Sequence, residues 1–495
     1  MDHRWIGRRL WLAVALMLLG CMACVQVIEP PHPPPSPDTR ARDGVERPLG
    51  AAPLEMVAPE PRDEGLANGT MTTFEGAGLR GRFAVSHGRL LASGTRPMHA
   101  ELRLRADEGA EAVRAPAAFV LVIDTSGSMA GAKMDDARRA ATALLDEMND
   151  SDAVSVVRFS DDAEVVVPLR SVRDVRSRAR AAIGRLHAAG NTNIARGLAA
   201  AVSELSAVSG RVKRVAVVTD GRDTSGAPRA TAADLARRES ERGLTVSTLG
   251  IGVDYDDVYL GDLAAAGHGN YEFLRDASAL ARFLSKELRE TSRTTAEHVV
   301  VDLSLPPGTR VRDVWGATWE PSPGGARLVL GALFAGDERR VIVSLDVAVG
   351  EPGSSVVLRA AASWAPVGGS RVSVSPSPIR IESVASARDV DVSRDLSVIA
   401  SVTSVTASLR EKEASAALER GDAARAVELN RQNLEELDRV AALAPASEAT
   451  RLRAQKKAYD QDARIYAAPS SAGAPAAARA IGVRERKNEA RDVGF

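Results

Sequence analysis

Short apolar runs alternate with amphipathic helical patterns between residues 115 and 290. Residues 119–123 contain no polar position, which predicts a strand buried on both faces. Apolar residues then recur at helical spacing over 134–148. Similar runs and helical patterns follow, as far as a last helix over 277–290. This alternation is typical of an α/β domain, Rossmann-like, with a mostly parallel sheet and helices on both faces.

The flanking segments show strand periodicity instead. Apolar and polar residues alternate strictly over 98–105, and apolar residues occupy every second position over 299–305 and 341–349, which predicts half-buried strands. The strands of 71–112 are too few to bury a face alone. We therefore expect residues 71–112 and 295–384 to form one β-sandwich, with the domain at 115–290 inserted in it.

The C-terminal part of the chain has helical periodicity. Residues 393–467 have a helical pattern, and Gly421-Asp422 combines a helix stop with an N-cap, so the pattern predicts a helical hairpin. Residues 468–495 are rich in Ala, Ser and charge, which favours a disordered tail.

The N-terminus has the features of an export signal. Three arginines precede an apolar stretch at 10–19, which is shorter than the about 20 residues that span a bilayer. Residues 18–21, Leu-Leu-Gly-Cys, resemble a bacterial lipobox, which implies a signal peptide over 1–21 and lipidation at Cys21. Met22 replaces the Asp of an inner-membrane retention signal, so the resemblance implies a lipoprotein of the outer membrane. An ordinary signal peptide with an incidental cysteine is the alternative. Residues 22–70 are Pro-rich and predict an extended or disordered tether.

Composition narrows the possible chemistry. The formal net charge of −1 offers no electrostatic basis for binding nucleic acid. Cys21 and Cys24 are the only cysteines, so the segments after them can form neither a disulfide nor a thiolate metal site. The seven histidines include no pair at zinc-ligand spacing.

Three polar loops in the α/β domain stand out together. Asp124, Ser126 and Ser128 follow the first buried strand, Thr192 lies in Gly-Asn-Thr-Asn at 190–193, and Asp220 lies in Thr-Asp-Gly at 219–221. In this order and on these elements, the loops resemble the metal-ion-dependent adhesion site of von Willebrand factor type A domains. The resemblance implies that these five residues hold Mg²⁺, or Ca²⁺ or Mn²⁺, with the hydroxyls bound directly and one or both carboxylates acting through water.

The residue types suit that chemistry. Mg²⁺ prefers six oxygen ligands in a near-octahedral arrangement and readily keeps waters. Three neutral hydroxyls leave the ion short of negative charge, so it would attract an acidic side chain of a partner protein. A simple cap on the next helix would explain Asp124 and Ser126, but it does not require Thr192 and Asp220.

The sequence lacks the motifs that the enzymatic alternatives require. A phosphatase of the haloacid dehalogenase type would need Asp at position 126, a serine hydrolase would need Gly-x-Ser-x-Gly, and no Walker-type phosphate loop is present. We therefore expect a protein that is not an enzyme. The expected function is metal-dependent protein binding, in adhesion or in assembly of a bacterial cell-envelope complex.

Two other functions stay open. The first is an accessory or regulatory subunit of a membrane transporter or processing complex, and the second, less favoured, is a metal-dependent hydrolase. In family members that switch, the last helix slides when the metal site takes a ligand. Here that helix, at 277–290, leads almost directly into a strand of the predicted sandwich. The oligomeric state is left open.

Overall fold

The computed structural model describes residues 69–108, 116–220, 222–251, 256–274, 279–468, 477–478, 480–482 and 484–485. The predicted signal peptide, Cys21 and the tether as far as residue 68 lie outside the described residues, as does Gly221. Among the described residues, no helix has both the length and the apolar character that a bilayer crossing requires.

Four strands precede the α/β domain. They are β1 (Met71–Gly76), β2 (Leu79–Val85), β3 (Arg89–Leu91) and β4 (Gly94–Ala106). Burial alternates along β1, and inward side chains of β2 and β4, such as Phe83 and Leu102, are almost fully buried. This is the pattern of strands with one face on a core and the other facing outward.

The α/β domain follows. Its strands are β5 (Ala117–Asp124), β6 (Ala153–Phe159), β7 (Ala163–Ser171), β8 (Val212–Thr219), β9 (Leu244–Ile251) and β10 (His268–Leu274). Its helices are α1 (Ala132–Glu147), α2 (Val172–Gly184), α3 (Ile194–Leu205), α4 (Ala230–Ser240), α5 (Asp257–Ala266) and α6 (Leu280–Ser292). The sheet order is β10-β9-β8-β5-β6-β7, and the β6–β7 pairing is antiparallel while the others are parallel. Every residue of β5 is buried, because helices cover both faces of the sheet.

A β-sandwich surrounds the insertion. Its later strands are β11 (Thr294–Ser304), β12 (Arg310–Trp315), β13 (Thr318–Ser322), β14 (Gly325–Phe334), β15 (Glu338–Val349), β16 (Ser355–Pro366), β17 (Val372–Val374) and β18 (Ile379–Val384). One sheet has the order β1-β2-β4-β15-β12, and the other has the order β13-β14-β11-β16-β18-β3, with β17 beside β16. Side chains of both sheets share one core, which includes Phe83, Leu102, Leu328 and Trp364.

The two chain connections of the inserted domain leave the sandwich side by side. The backbone N–H of Ala335 donates to the carbonyl of Arg293 at 2.7 Å, just after α6. The next N–H, of Gly336, donates to the carbonyl of Ala106 at 3.2 Å, at the end of β4. The α/β domain therefore enters and leaves the sandwich at a single turn.

Two histidines fill the junction between the α/β domain and the sandwich. His268 of β10 has φ 52° and lies against Gly331 of β14, whose φ is +77°. His298 of β11 has φ 53°, lies against Gly243, and contacts the carbonyl of Glu241 through Nδ1 at 3.0 Å. Burial lowers the pKa of His268 to about 3. Since each histidine side chain occupies the space that a Cβ on the facing glycine would need, the junction is closely packed.

The helical segment corrects the prediction of a hairpin. After the short α7 (Ala387–Val392), three long helices follow: α8 (Leu396–Glu419), α9 (Ala423–Ala441) and α10 (Ala446–Ala467). Asp422 caps α9, as the Gly-Asp pair suggests, but a second break follows α9, and Pro445 stands at the N-cap position of α10. The buried side of α10 includes Gln455 and Asp462, so an apolar stripe does not mark it in the sequence.

Part of the expected disordered tail is helical. The described residues between 477 and 485 have helical conformation, with Ala478 and Ile481 buried against the bundle. The Glu485 carboxylate accepts hydrogen bonds from Ser408 and, at 3.1 Å, from Tyr459. Polar contacts of this kind give no apolar period, and the segment is therefore hard to recognise from sequence.

Candidate metal centre

The site begins where β5 ends, in the middle of the α/β sheet. Asp124 is its last residue and is fully buried, and a 3-10 turn at Gly127–Met129 follows. One carboxylate oxygen of Asp124 accepts the backbone N–H of Ser126 at 2.7 Å, and the other accepts the hydroxyl of Thr219. These two bonds fix the carboxylate at the C-terminal edge of the parallel strands, where open α/β sheets bind ligands.

The Asp124 carboxyl has an altered acidity. Burial raises its pKa to about 6, and the hydrogen bonds from Thr219 and Ser126 lower it only in part. The carboxylate of Asp220 nearby raises it further. A divalent cation would favour the charged form of such a group.

A continuous chain of polar atoms joins the first and third loops. The hydroxyls of Ser126 and Ser128 lie 3.0 Å apart, and Ser128 donates to Oδ1 of Asp220 at 2.8 Å. Asp220 directly follows β8 and is 1% exposed. Ile123 of β5 pairs with Val218 of β8, so the register brings the two strand ends level.

The second loop is held against the first by its backbone. Gly127 donates its N–H to the carbonyl of Gly190 at 2.9 Å, and Ala189 donates to the carbonyl of Thr125 at 2.7 Å. Gly190 has φ +86°, and a Cβ there would lie 2.5 Å from the Asp161 carboxylate, so glycine is required. This fixes the loop that carries Thr192 beside the serines.

Thr192 itself is 4% exposed, and its backbone forms hydrogen bonds with Thr224. Its N–H donates to the Thr224 hydroxyl at 3.1 Å, and its carbonyl accepts the N–H of Thr224 at 2.9 Å. Asn193 then caps α3 by accepting the N–H of Arg196 at 3.1 Å. The structure thus links Asp124, Ser126, Ser128 and Asp220 through short contacts and places Thr192 on the adjoining loop.

Three contributing residues were not expected from the sequence. Thr219 bonds to Asp124, Thr224 supports Thr192, and the Lys133 ammonium contacts the carboxylate of Asp220. Thr219 could have been found, because it is level with Asp124 in neighbouring parallel strands. Lys133 lies on the first turn of α1, and no spacing rule would have connected it with Asp220.

The donor set suits a hard cation. It consists of carboxylate and hydroxyl oxygens, the ligand types that Mg²⁺, Ca²⁺ and Mn²⁺ prefer. Among the described residues, no group of three or more His, Cys, Asp or Glu side chains is arranged to hold a metal ion. A cation at this edge would therefore depend on hydroxyls as much as on carboxylates, as the residues Ser126, Ser128 and Thr192 provide.

Comparison with known proteins identifies the α/β domain. Residues 119–286 match the family model of the von Willebrand factor type A domain. An uncharacterized protein of Synechocystis sp. is 32% identical over 195 residues, which cover 39% of this chain and 46% of that protein. Human inter-alpha-trypsin inhibitor heavy chain H4 is 31% identical over 166 residues, which cover 31% of this chain and 18% of that one. The chain thus spans less than half the length of these relatives.

Solved structures extend the similarity beyond the α/β domain. A von Willebrand factor type A protein from Catenulispora acidiphila is 25% identical with a TM-score of 0.61, over 72% of this chain and 87% of that one. The ArnB paralog VWA2 from Sulfolobus acidocaldarius is 15% identical with a TM-score of 0.57, over 84% of this chain and 98% of that one, and it shows likeness of fold alone. The predicted fold class is confirmed, and the chain contains a von Willebrand factor type A domain.

Proposed function

We propose that this chain binds a protein partner through a divalent cation held at the edge of its von Willebrand factor type A domain. Domains of this family often bind a divalent metal and commonly mediate protein–protein interactions. The observation that carries the proposal is the contact chain Ser126–Ser128–Asp220 beside the buried carboxylate of Asp124. Two loops distant in sequence meet there with oxygen ligands only.

The proposed binding chemistry uses the neutral hydroxyls as the inner ligands. Ser126, Ser128 and Thr192 would contact the cation, which in turn supplies an open position for an anionic oxygen. Asp124 and Asp220, which are both buried, would balance its charge. An Asp or Glu side chain of a partner protein is the oxygen donor that fits such a position.

The proposed setting is a bacterial cell envelope. The basic and apolar N-terminus, Cys21 and the proline-rich segment support a lipid anchor with a tether, and the outer membrane as the site of attachment. Adhesion or envelope-complex assembly would place the domain near protein partners. The proposal includes no catalytic step.

Metal binding is tested first by calorimetric titration of the full chain with MgCl₂, MnCl₂ and CaCl₂. The variants Ser128→Ala and Thr192→Ala should lose most of the binding heat. Ser203→Ala, an exposed serine on α3, is the matched control and should bind as the wild type does. Equal titrations for all four proteins would contradict the proposed site.

Partner binding is tested by capture from envelope extracts. Capture should require Mg²⁺, disappear in EDTA, and fail with Thr192→Ala but not with Ser203→Ala. Mass spectrometry of the captured protein then separates an adhesion or assembly partner from a transporter or processing complex. Capture that survives both EDTA and Thr192→Ala would defeat the metal-bridge mechanism.

A further inference from the structure

The positively charged Lys133 side chain contacts one of the two carboxylates of the candidate site. Its ammonium contacts Oδ2 of Asp220 and lies 3.4 Å from the carbonyl of Ser128. The side chain of Asp220 is fully buried, whereas that of Lys133 is 38% exposed. We propose that Lys133 competes with the divalent cation for Asp220 and thereby sets the metal affinity of the site. The proposal rests on the proposed function, because it requires that the site binds a cation.

Competition follows from how the oxygens of Asp220 are used. Oδ1 accepts the hydroxyl of Ser128, and Oδ2 accepts Lys133, so both oxygens are engaged. A cation that uses Asp220, directly or through water, must displace or share one of these contacts. The Ser128 hydroxyl can rotate and offer a lone pair to the cation. The ammonium has no lone pair to offer and repels a divalent ion at short range.

The geometry also allows Lys133 to leave. A lysine ammonium is a strongly hydrated charge on a flexible four-carbon stem. Lys133 stands on the first turn of α1 with part of its side chain in solvent, so it can swing outward without any change in the helix. Before the cation binds, Lys133 balances the buried charge of Asp220. Afterwards the cation takes over that role.

The alternative role for Lys133 predicts the opposite change in metal affinity when the lysine is removed. If Lys133 were a fixed support that orients Asp220 for the metal, its removal would weaken metal binding. If it competes, its removal strengthens metal binding and at the same time destabilises the protein without metal. The two roles are therefore separated by the direction of one measured change.

The test is calorimetric titration of the full chain with MgCl₂ and MnCl₂. Lys133→Met should lower the Kd at least about tenfold, and Lys133→Arg, which keeps the charge, should stay within about threefold of wild type. Lys286→Met is the matched control, because Lys286 lies on α6 and its ammonium is 3.9 Å from Glu290. Equal or weaker binding by Lys133→Met overturns the proposal.

Thermal unfolding in EDTA gives a second readout that involves no metal. Lys133→Met should lower the Tm in the wild-type background and have little effect in an Asp220→Asn background, because the contact is already lost there. Equal effects in both backgrounds would also overturn the proposal. If wild type binds metal and Lys133→Met binds no better, only this inference fails. If neither wild type nor Lys133→Met binds metal, the proposed function fails with it.

Discussion

The last helix of the α/β domain is anchored by a buried ion pair. Glu287 of α6 is fully buried and accepts Arg214 of β8 at 2.8 Å and Ser247 of β9 at 2.6 Å. Asn270 of β10 donates to the same carboxylate. One side chain thus joins α6 to three strands of the sheet.

We predict that Glu287→Ala strongly destabilises the domain. The guanidinium of Arg214 would keep the hydroxyls of Thr291, at 2.9 Å, and Ser247, at 3.3 Å, but it would lose its only acidic partner among the described contacts. Removing one member of a buried ion pair costs about 3–5 kcal/mol, because the other charge stays buried. For a domain of this size the Tm of thermal unfolding should fall by roughly 10 °C.

Calorimetry checks this prediction with two further variants. The double variant Arg214→Met/Glu287→Met removes both charges and should recover most of the lost Tm, since apolar replacement of a whole pair is often neutral. Glu239→Gln is the control: its partner Arg242 is 73% exposed, so its loss should cost less than about 1 kcal/mol. A Glu287→Ala transition within 2 °C of wild type would refute the reasoning.

The anchor also bears on whether α6 slides. Movement along the sheet would break the contacts of Glu287 with three strands, and α6 continues after Arg293 into β11 at Thr294. We therefore expect α6 to keep its hydrogen-exchange protection when Mg²⁺ and a partner bind. A loss of protection across 280–292 on binding would restore the sliding-helix hypothesis.

The remaining predictions concern the junction and the C-terminus. His268, whose folded pKa of about 3 lies below its unfolded value, stabilises the fold above pH 6.5, and this contribution is lost as pH falls towards 3. Relative to His268→Asn, the wild type should lose about 2 kcal/mol between pH 7.5 and pH 5, measured by urea unfolding. Gly331→Ala should lower the Tm more than Gly324→Ala: both glycines have positive φ, but only a Cβ at 331 would lie 2.7 Å from a neighbour, whereas at 324 nothing lies within 4 Å. Truncation after Ala468 should cost at least about 1.5 kcal/mol, the value of burying one Ile side chain such as Ile481, and an unchanged Tm would contradict that docking.

The strands of the α/β domain, and the sandwich strand over 98–105, can be predicted from the sequence because their signals are local. The run at 119–123 is uninterrupted, and the structure buries all of β5. The strand over 98–105 was visible as strict alternation, and it lies within β4. The helical segment was harder, because α10 buries Gln455 and Asp462 on the side where an apolar residue would have marked its period.

The candidate site can be predicted only in part from the sequence. The first and third loops each follow the end of a predicted strand and the second precedes a predicted helix, so they could be interpreted as one site, and the structure places Ser126, Ser128 and Asp220 in contact. That these residues bind a metal stays a prediction. Lys133 could not be assigned, because its role depends on where a long side chain reaches, which spacing along the chain does not encode.

The shared entry and exit of the inserted domain has a consequence for the order of folding. In the sandwich, Leu102 of β4 pairs with Val341 of β15, and the whole α/β domain lies between them in sequence. An unfolded intervening chain would make this pairing slow and entropically costly. Once the α/β domain has folded, its two ends emerge together at Ala335 and Gly336, and the long chain behaves as a short connection. During synthesis the inserted domain would thus form before the sandwich is complete, because β4, although already able to pair with β2, lacks its other neighbour until β15 is made.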